Sequence, residues 1–306
     1  IELRVVTDYG SQAYERYGFV DVNGQLVVKP RFDNYQYCPD AHGRAAFVIG
    51  ERGDHRAEVL DLTGKLMLRT PAADAGCAGS DHVVFTDVIS GETGEYNSGV
   101  LQLSTGRIVV PLAKDRHIEV VQGEIVNVSD PEGEYFLDLS SGARTPHPGW
   151  LWYPELEPGA PGLPAAAKRP DYQSTSTFGY VSLAGQWLVE PRFADANPFV
   201  AGRAIIGDGT SETLIDADFN PVSGPWTSIT VETDANDALL GYHVFRGEQE
   251  GLLGPDANVI LPVSPSPIYC NLAGACTTVS ADGLGKLVLL PELTRTDLPA
   301  GLTKAI

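Results

Sequence analysis

Apolar residues fall along the chain in short runs, each cut by a turn carrying glycine or asparagine. In the clearest case, Tyr17-Gly18-Phe19-Val20 and Leu26-Val27-Val28-Lys29-Pro30-Arg31-Phe32 flank Asp21-Val22-Asn23-Gly24-Gln25. Two runs of β-branched and aromatic residues around Asn23-Gly24 predict a β-hairpin, because a left-handed turn backbone is cheap for Gly and Asn and costly for most other residues. The pattern returns 161 residues later as Phe178-Gly179-Tyr180-Val181, a turn at Ala184-Gly185, and Trp187-Leu188-Val189-Glu190-Pro191-Arg192-Phe193. Gly18, Val20, Gly24, Gln25, Val28, Pro30, Arg31 and Phe32 are identical to their counterparts, and an ungapped match of this length indicates duplication. Proline has no N–H for a ladder, so Pro30 and Pro191 are expected to end the second strand. Gly43-Arg44-Ala45 likewise recurs as Gly202-Arg203-Ala204.

Weaker copies fill the space between. Apolar-Asp-x-x-Gly hairpin patterns turn at Gly64, Gly106 and Gly142, and two echoes follow at Asn220 and Asn258. The first five turns lie 36 to 43 residues apart, and the total is seven. A repeat of this length holding two hairpins has the size of a four-stranded propeller blade. The predicted fold is all-β, a propeller of about seven blades in a single domain over residues 1–306, with an open β array as the alternative. A ring removes unpaired strand edges, and residues 1–6 and 287–290 are expected to pair and seal it.

These motifs resemble the WG-repeat family, whose unit runs Trp-Gly-Tyr-Ile-Asp, a few polar residues, Gly, an apolar pair, Pro, then Phe-Asp. Tyr17 and Phe178 stand in the tryptophan position. The resemblance implies a bacterial β-repeat protein that serves as an interaction module without one shared activity, and it brings no catalytic residues.

One segment breaks the pattern. Residues 145–177 contain Trp150, Trp152, Tyr153 and a run of prolines, yet the repeat interval there is an ordinary 43. The expectation is an irregular loop that replaces part of a blade. Its rings, with Glu155 and Glu157 beside them, are the candidate partner-binding residues, since rigid aromatics supply interface area at low entropic cost. The competing expectation is that the rings cover the blade's own apolar face.

Composition sharpens the picture at three points. There are 33 Gly and 22 Pro but no long stretch of helix formers at the 3.6-residue apolar period. Forty acidic against 21 basic residues give a net charge of −19, which opposes nucleic acid and anionic membranes; it is expected to keep a repetitive β protein soluble, with attraction to a basic protein partner as the alternative. No run approaches the roughly 20 apolar residues that span a bilayer. The cysteines Cys38, Cys77, Cys270 and Cys276 form no Cys-x-x-Cys metal pair. Cys38 and Cys77 lie 14 and 13 residues after their turn glycines, which favours a bridge between neighbouring repeats, and Cys270 and Cys276 are placed to close a small loop. Paired cysteines point to an oxidising compartment and an exported, periplasmic or envelope protein, with a signal peptide removed or left out ahead of Ile1; buried thiols in the cytoplasm are the alternative.

Catalytic spacings are missing. His42, His55, His82, His117, His147 and His243 show no zinc spacing, and the chain has no Gly-x-Ser-x-Gly elbow, P-loop or dinucleotide fingerprint. Asp216-Ala217-Asp218 imitates the start of a calcium loop, but Pro221 and Thr227 stand where that loop requires Gly and Glu. Weak calcium binding by acidic stretches such as residues 234–237 is the only cofactor chemistry expected. Asp21, Asp61, Asp138 and Asp216 share one repeat position, which assigns them to hydrogen bonding at the turn. The sequence therefore predicts non-catalytic binding of a protein, as an adaptor or toxin-neutralising immunity protein. A carbohydrate-binding module, or a glycosidase or lyase with carboxylates gathered from several blades, is the alternative.

Overall fold

The computed structural model describes residues 2–9, 12–38, 46–51, 57–61, 63–69, 74–90, 95–151, 155–167, 176–235, 238–271, 275–279, 285–289 and 294–297. Among them every regular element is a strand, and every named pairing is antiparallel between consecutive strands. The first sheet has six strands, Glu2–Tyr9, Gln12–Val20, Leu26–Cys38, Ala46–Glu51, Ala57–Asp61 and Leu66–Arg69. Six four-stranded sheets follow. They are Asp74–Ala78, His82–Ser90, Glu95–Gln102 and Arg107–Lys114; His117–Gln122, Ile125–Asp130, Gly133–Asp138 and Arg144–Pro146; and Trp150–Leu151, Leu163–Ala166, Phe178–Val181 and Trp187–Phe193. The last three are Asp195–Ala196, Arg203–Gly207, Glu212–Asp216 and Pro221–Trp226; Ser228–Thr233, Leu239–Arg246, Gln249–Leu253 and Val259–Ser264; and Ile268–Cys270, Ala275–Val279, Gly285–Leu289 and Thr294–Asp297.

All seven expected turns are hairpin turns, each joining the third and fourth strands of a repeat. The first sheet contains two repeats, because Leu26–Cys38 ends one and begins the next across a register shift between Phe32 and Asn34. The last sheet is an eighth repeat that the turn pattern did not reveal.

Three expectations are corrected. Strands run through Pro30 and Pro191 instead of ending there. The ladder steps from Tyr17↔Phe32 to Phe19↔Val28, and from Phe178↔Phe193 to Tyr180↔Val189, so each proline sits in a bulge where no ladder partner is required. The glycine opposite is fixed by close approach: a Cβ on Gly179 would lie 2.2 Å from the Val189 carbonyl oxygen, and one on Gly18 2.6 Å from that of Val28. Second, residues 145–177 are not wholly irregular, since they supply Trp150–Leu151 and Leu163–Ala166, the first two strands of a regular sheet. Pro164 lies within the second of these strands, paired with Tyr180 on one side. Third, Gly285–Leu289 has both edges taken, by Ala275–Val279 and Thr294–Asp297, and is not a free sealing strand.

Contacts group the chain into two compact units, residues 1–148 with 183–186, and residues 149–182 with 187–306. Within each, the core lies in slices between successive sheets. In the first unit, Cys38, Val59, Val83, Phe85, Leu101 and Leu103 fill one slice, and Val84, Val100, Ile118, Val126 and Val128 are among those filling the next. In the second unit, Tyr180, Phe199 and Ile215 pack in one slice, Leu214, Tyr242 and Val244 in another, and Leu252, Ile268 and Val288 in a third. Gly99 and Gly251 show how closely strands approach, but the turn at Gly185 sets the tightest of these contacts between repeats. Its φ is 73°, and a Cβ there would lie 2.2 Å from the carbonyl oxygen of Pro146, in the last strand of the repeat before.

Both expected disulfides are formed. Cys38–Cys77 joins the long strand Leu26–Cys38 to Asp74–Ala78 in the next sheet, and Cys270–Cys276 joins residues directly opposite within the last sheet. All four cysteines are thereby paired. Under the chain-entropy relation, replacing Cys38 and Cys77 by Ser costs about 4 kcal/mol and replacing Cys270 and Cys276 about 2 kcal/mol, to be read from urea unfolding of the two double variants.

Gly185→Ala adds steric overlap with Pro146 to the left-handed backbone cost of about 1–2 kcal/mol. Gly142, with φ 73° and open space at its Cβ position, carries the backbone cost alone. Gly185→Ala therefore lowers the thermal midpoint at least about twice as far as Gly142→Ala.

Candidate functional site

The turn carboxylates are occupied by their own backbone. The N–H groups of Asn23 and Gln25 each donate to Asp21 Oδ1 at 2.8 Å, and those of Thr63 and Lys65 to Asp61 Oδ1 at 2.9 and 3.0 Å. Asp138 accepts from the Ser140 N–H and hydroxyl at 2.9 and 2.6 Å, and Asp216 from the Asp218 and Asn220 N–H groups at 3.0 and 2.8 Å. This is the role expected from the shared repeat position. The Ser140 and Ser141 hydrogen bonds draw the Asp138 carboxyl down to about 2, and those from Thr210 and Ser211 hold Asp208 well below the carboxylate range. At Asp61, burial pushes upwards, but hydrogen bonds from Thr63 and Lys65 outweigh it and the net direction is down.

A second set of carboxylates escaped the sequence reading. Glu134, Glu212 and Glu250 each stand four residues before the turn Asp or its Gly254 equivalent, in the segments EYFLD, ETLID and EGLLG. The Ile229 N–H donates to Glu212 Oε2 at 2.5 Å, and the Ile268 N–H to Glu250 Oε2 at 2.8 Å, so each carboxylate ties its sheet to the first strand of the next. Glu250 also lies 3.0 Å from His243 Nε2, whose ring stacks on Phe245. Glu134 instead accepts the Ser129 hydroxyl at 2.6 Å. The spacing Glu-x-x-x-Asp was visible in two copies, but without the fold it reads as an ordinary alternation.

Glu58 is a further buried carboxylate, 1% exposed, held at 2.6 Å by Arg31 Nη2 and at 2.9 Å by Arg69 Nε. Arg31 belongs to the repeated Pro-Arg-Phe motif, so one motif residue neutralises a buried acid in the following repeat. Buried charges persist only when paired in this way.

The expected partner-binding residues do not form one constellation. Trp150 is half-buried on its strand opposite Ala166, and Glu155 is exposed. Glu157 Oε2 accepts the Ala201 N–H at 2.9 Å, clamping the tight turn that leads into Arg203–Gly207. Trp152, Tyr153 and Asp237 lie outside the described residues. Close to Glu157, burial pushes the Tyr242 hydroxyl up to about 12, with Arg203 drawing it down and Glu157 adding to the rise. Among the described residues, no group of three or more His, Cys, Asp or Glu is placed to hold a metal ion.

The recurring exposed feature is apolar. Leu26, Leu66, Ile108, Leu188, Val222 and Val259 are 37–63% exposed, and each stands two or three residues after the left-handed turn residue, at the start of a fourth strand. Met67 and Val109 extend it in two repeats. The sequence signal was the apolar pair itself. Neighbouring residues of a strand point to opposite faces, so when both are apolar one of them faces out. Only the sheet decides which: Leu188 is exposed and Val189 buried.

The fold and this arrangement define a β-repeat protein. The family described as WG containing repeat matches residues 17–51 and 178–207, and the chain therefore carries WG repeats in those two stretches. No curated protein matches the sequence. Among solved structures, the chain is similar to one described as the eukaryotic initiation factor, at 10% identity and TM-score 0.45 over 98% of this chain and 85% of that one. It is similar to a prolyl endopeptidase at 12% identity and TM-score 0.40, covering 94% and 51%, and to an uncharacterized protein of Listeria monocytogenes EGD-e at 9% identity and TM-score 0.39, covering 89% and 96%.

Acid will test the turn carboxylates. A carboxyl lowered by folding contributes stability that is fully present above its unfolded value, near about 4, and is lost as pH falls through its folded value. Stability should decline from about pH 4 towards pH 2, and Asp138→Asn should flatten part of that decline when urea midpoints are compared across the range.

Proposed function

We propose that this protein is an exported, non-catalytic scaffold that binds another protein through the outer strands of its sheets. The observation that carries the reading is an exposed apolar residue at the first or second position of six fourth strands. Apolar surface left in water at a fixed interval on a rigid β scaffold suits the core of a protein interface, where the partner removes it from solvent. The net charge of −19 favours a partner with a basic rim, and it raises the encounter rate with one. Trp150 and Glu155 are further contributors on this reading.

The two disulfides support an oxidising compartment, and we place the protein in the periplasm or cell envelope on that ground. We read the sheets as propeller blades: six of the eight repeats each give one four-stranded antiparallel sheet, and the core lies between successive sheets. Eight repeats remain within the range of about four to eight blades that propellers use. Adaptor and immunity roles both fit such a scaffold.

The combined variant Leu66→Ser, Ile108→Ser and Leu188→Ser tests the surface. Exposed positions of this kind change stability by no more than about 0.5 kcal/mol each. Partner capture from an envelope extract of the source cells should fall at least about tenfold, while the thermal midpoint stays near that of the parent. Full retention of every partner by a folded variant would remove the outer strands from the interface.

A further inference from the structure

The exposed apolar residues of the six fourth strands are alike, but the charges beside them differ between the two units. In the first three repeats the fourth strands are residues 26–32, Leu66–Arg69 and Arg107–Lys114. Together with Lys65, just ahead of the second, these strands hold Lys29, Arg31, Arg69, Arg107 and Lys114 and no Asp or Glu. All six cations are exposed, in a chain whose net charge is −19. The second unit does not repeat this. Trp187–Phe193 has one charge of each sign, Glu190 and Arg192, and Pro221–Trp226 and Val259–Ser264 have none. Lysine on an outer strand commonly deters edge pairing, but that need would apply equally to the second unit, whose fourth strands lack it.

Local pairing accounts for only part of the charge. Arg31 and Arg69 set two guanidinium groups against the single buried carboxylate of Glu58, and Lys114 has Asp115 3.9 Å away. Among the described residues, no carboxylate lies within ion-pair distance of Lys29, Lys65 or Arg107. The turn acids Asp21 and Asp61 are engaged by their own turn N–H groups.

Packing joins the three strands into one surface within the first unit. A Cβ on Gly64 would lie 2.8 Å from the Val27 carbonyl oxygen, so the second repeat's turn sits against the first repeat's fourth strand. Leu68 of the second repeat shares a core slice with Leu103 and Leu112 of the third. With these inward residues packed together, Leu66, Met67, Ile108 and Val109 remain exposed on the outer side, bracketed along each strand by Lys or Arg.

We propose that the fourth strands of the first three repeats form the docking surface for an acidic segment of the protein partner, in which Asp or Glu brackets aliphatic residues. The inference rests on the outer-strand reading above and adds the chemistry of what docks there. The aliphatic residues of such a segment cover the exposed apolar pairs, and its carboxylates meet the strand cations. Charges more than about 8 Å apart are largely screened at physiological salt, so the strand cations decide the sign at contact whatever the net charge. An acidic segment inside a basic rim satisfies both.

Fluorescence anisotropy on the full chain tests this with three fluorescein-labelled peptides. The first is built of Glu, Val and Leu, with acids bracketing each aliphatic pair; the second has Lys in place of Glu, and the third Ser in place of Val and Leu. The first should bind saturably and weaken as salt rises, and the other two should bind at least about tenfold more weakly. Lys65→Gln with Arg107→Gln should lower affinity for the first peptide at least about fivefold and keep the parental melting profile. Leu66→Ser with Ile108→Ser should lower it comparably, and if that variant unfolds the glutamine pair decides. Arg246→Gln, which removes an exposed cation from the second unit, should bind as the parent does. Absence of saturable binding overturns the proposal, including the case in which phosphatidylglycerol vesicles bind and the peptide does not. Equal binding of the lysine peptide, or unchanged affinity in the folded glutamine pair, overturns it as well. Peptide lost by the serine pair but retained by the glutamine pair would remove the acidic segment and leave the outer strands as an interface.

Discussion

The turn between the third and fourth strands of each repeat is the constraint on which the sheets depend. It must reverse the chain within a few residues, satisfy the backbone groups it strips from the ladder, and present the fourth strand in a register that buries one face. Four copies meet these demands with an acid whose carboxylate accepts the turn N–H groups, and with a residue three or four positions later that tolerates a left-handed backbone. Where that residue is glycine the conformation is cheap. At Phe219, with φ 63°, it is costly, and the ring offsets the cost by packing against Tyr180 and Phe199 with centroids 5.2 and 5.7 Å away.

A sheet of four strands is too small to bury a core by itself, so stability passes between neighbours. The apolar slices do most of this, and specific polar links fix the spacing: Glu212 and Glu250 reach the first strand of the next sheet, and His82 meets Glu124 across a sheet boundary at 3.2 Å. Cys38–Cys77 adds a covalent link of the same kind in the first unit. Each repeat thus owes part of its order to the one beside it, as nearest-neighbour stabilisation of repeat proteins requires.

The same architecture creates edges. Six of the described fourth strands carry a proline that deters pairing, and six hold an apolar residue out to solvent beside the turn.

By itself the sequence determined the β-hairpin repeat, its period, the seven turns, the role of the turn aspartates and the pairing of all four cysteines. Each of these follows from local chemistry: Gly and Asn select the turn, β-branched alternation selects the strand, and equivalent positions in successive repeats bring Cys38 and Cys77 within reach. The eighth repeat was hidden because its connection carries no such turn signature. Tertiary structure alone decided where the strands pass Pro30 and Pro191, since a proline is tolerated where a bulge has already removed its ladder partner. It also decided which member of each apolar pair faces water and which glutamates reach across to the next sheet, because the side-chain period of two fixes that one of two neighbours faces out and leaves the choice to the register of the completed sheet.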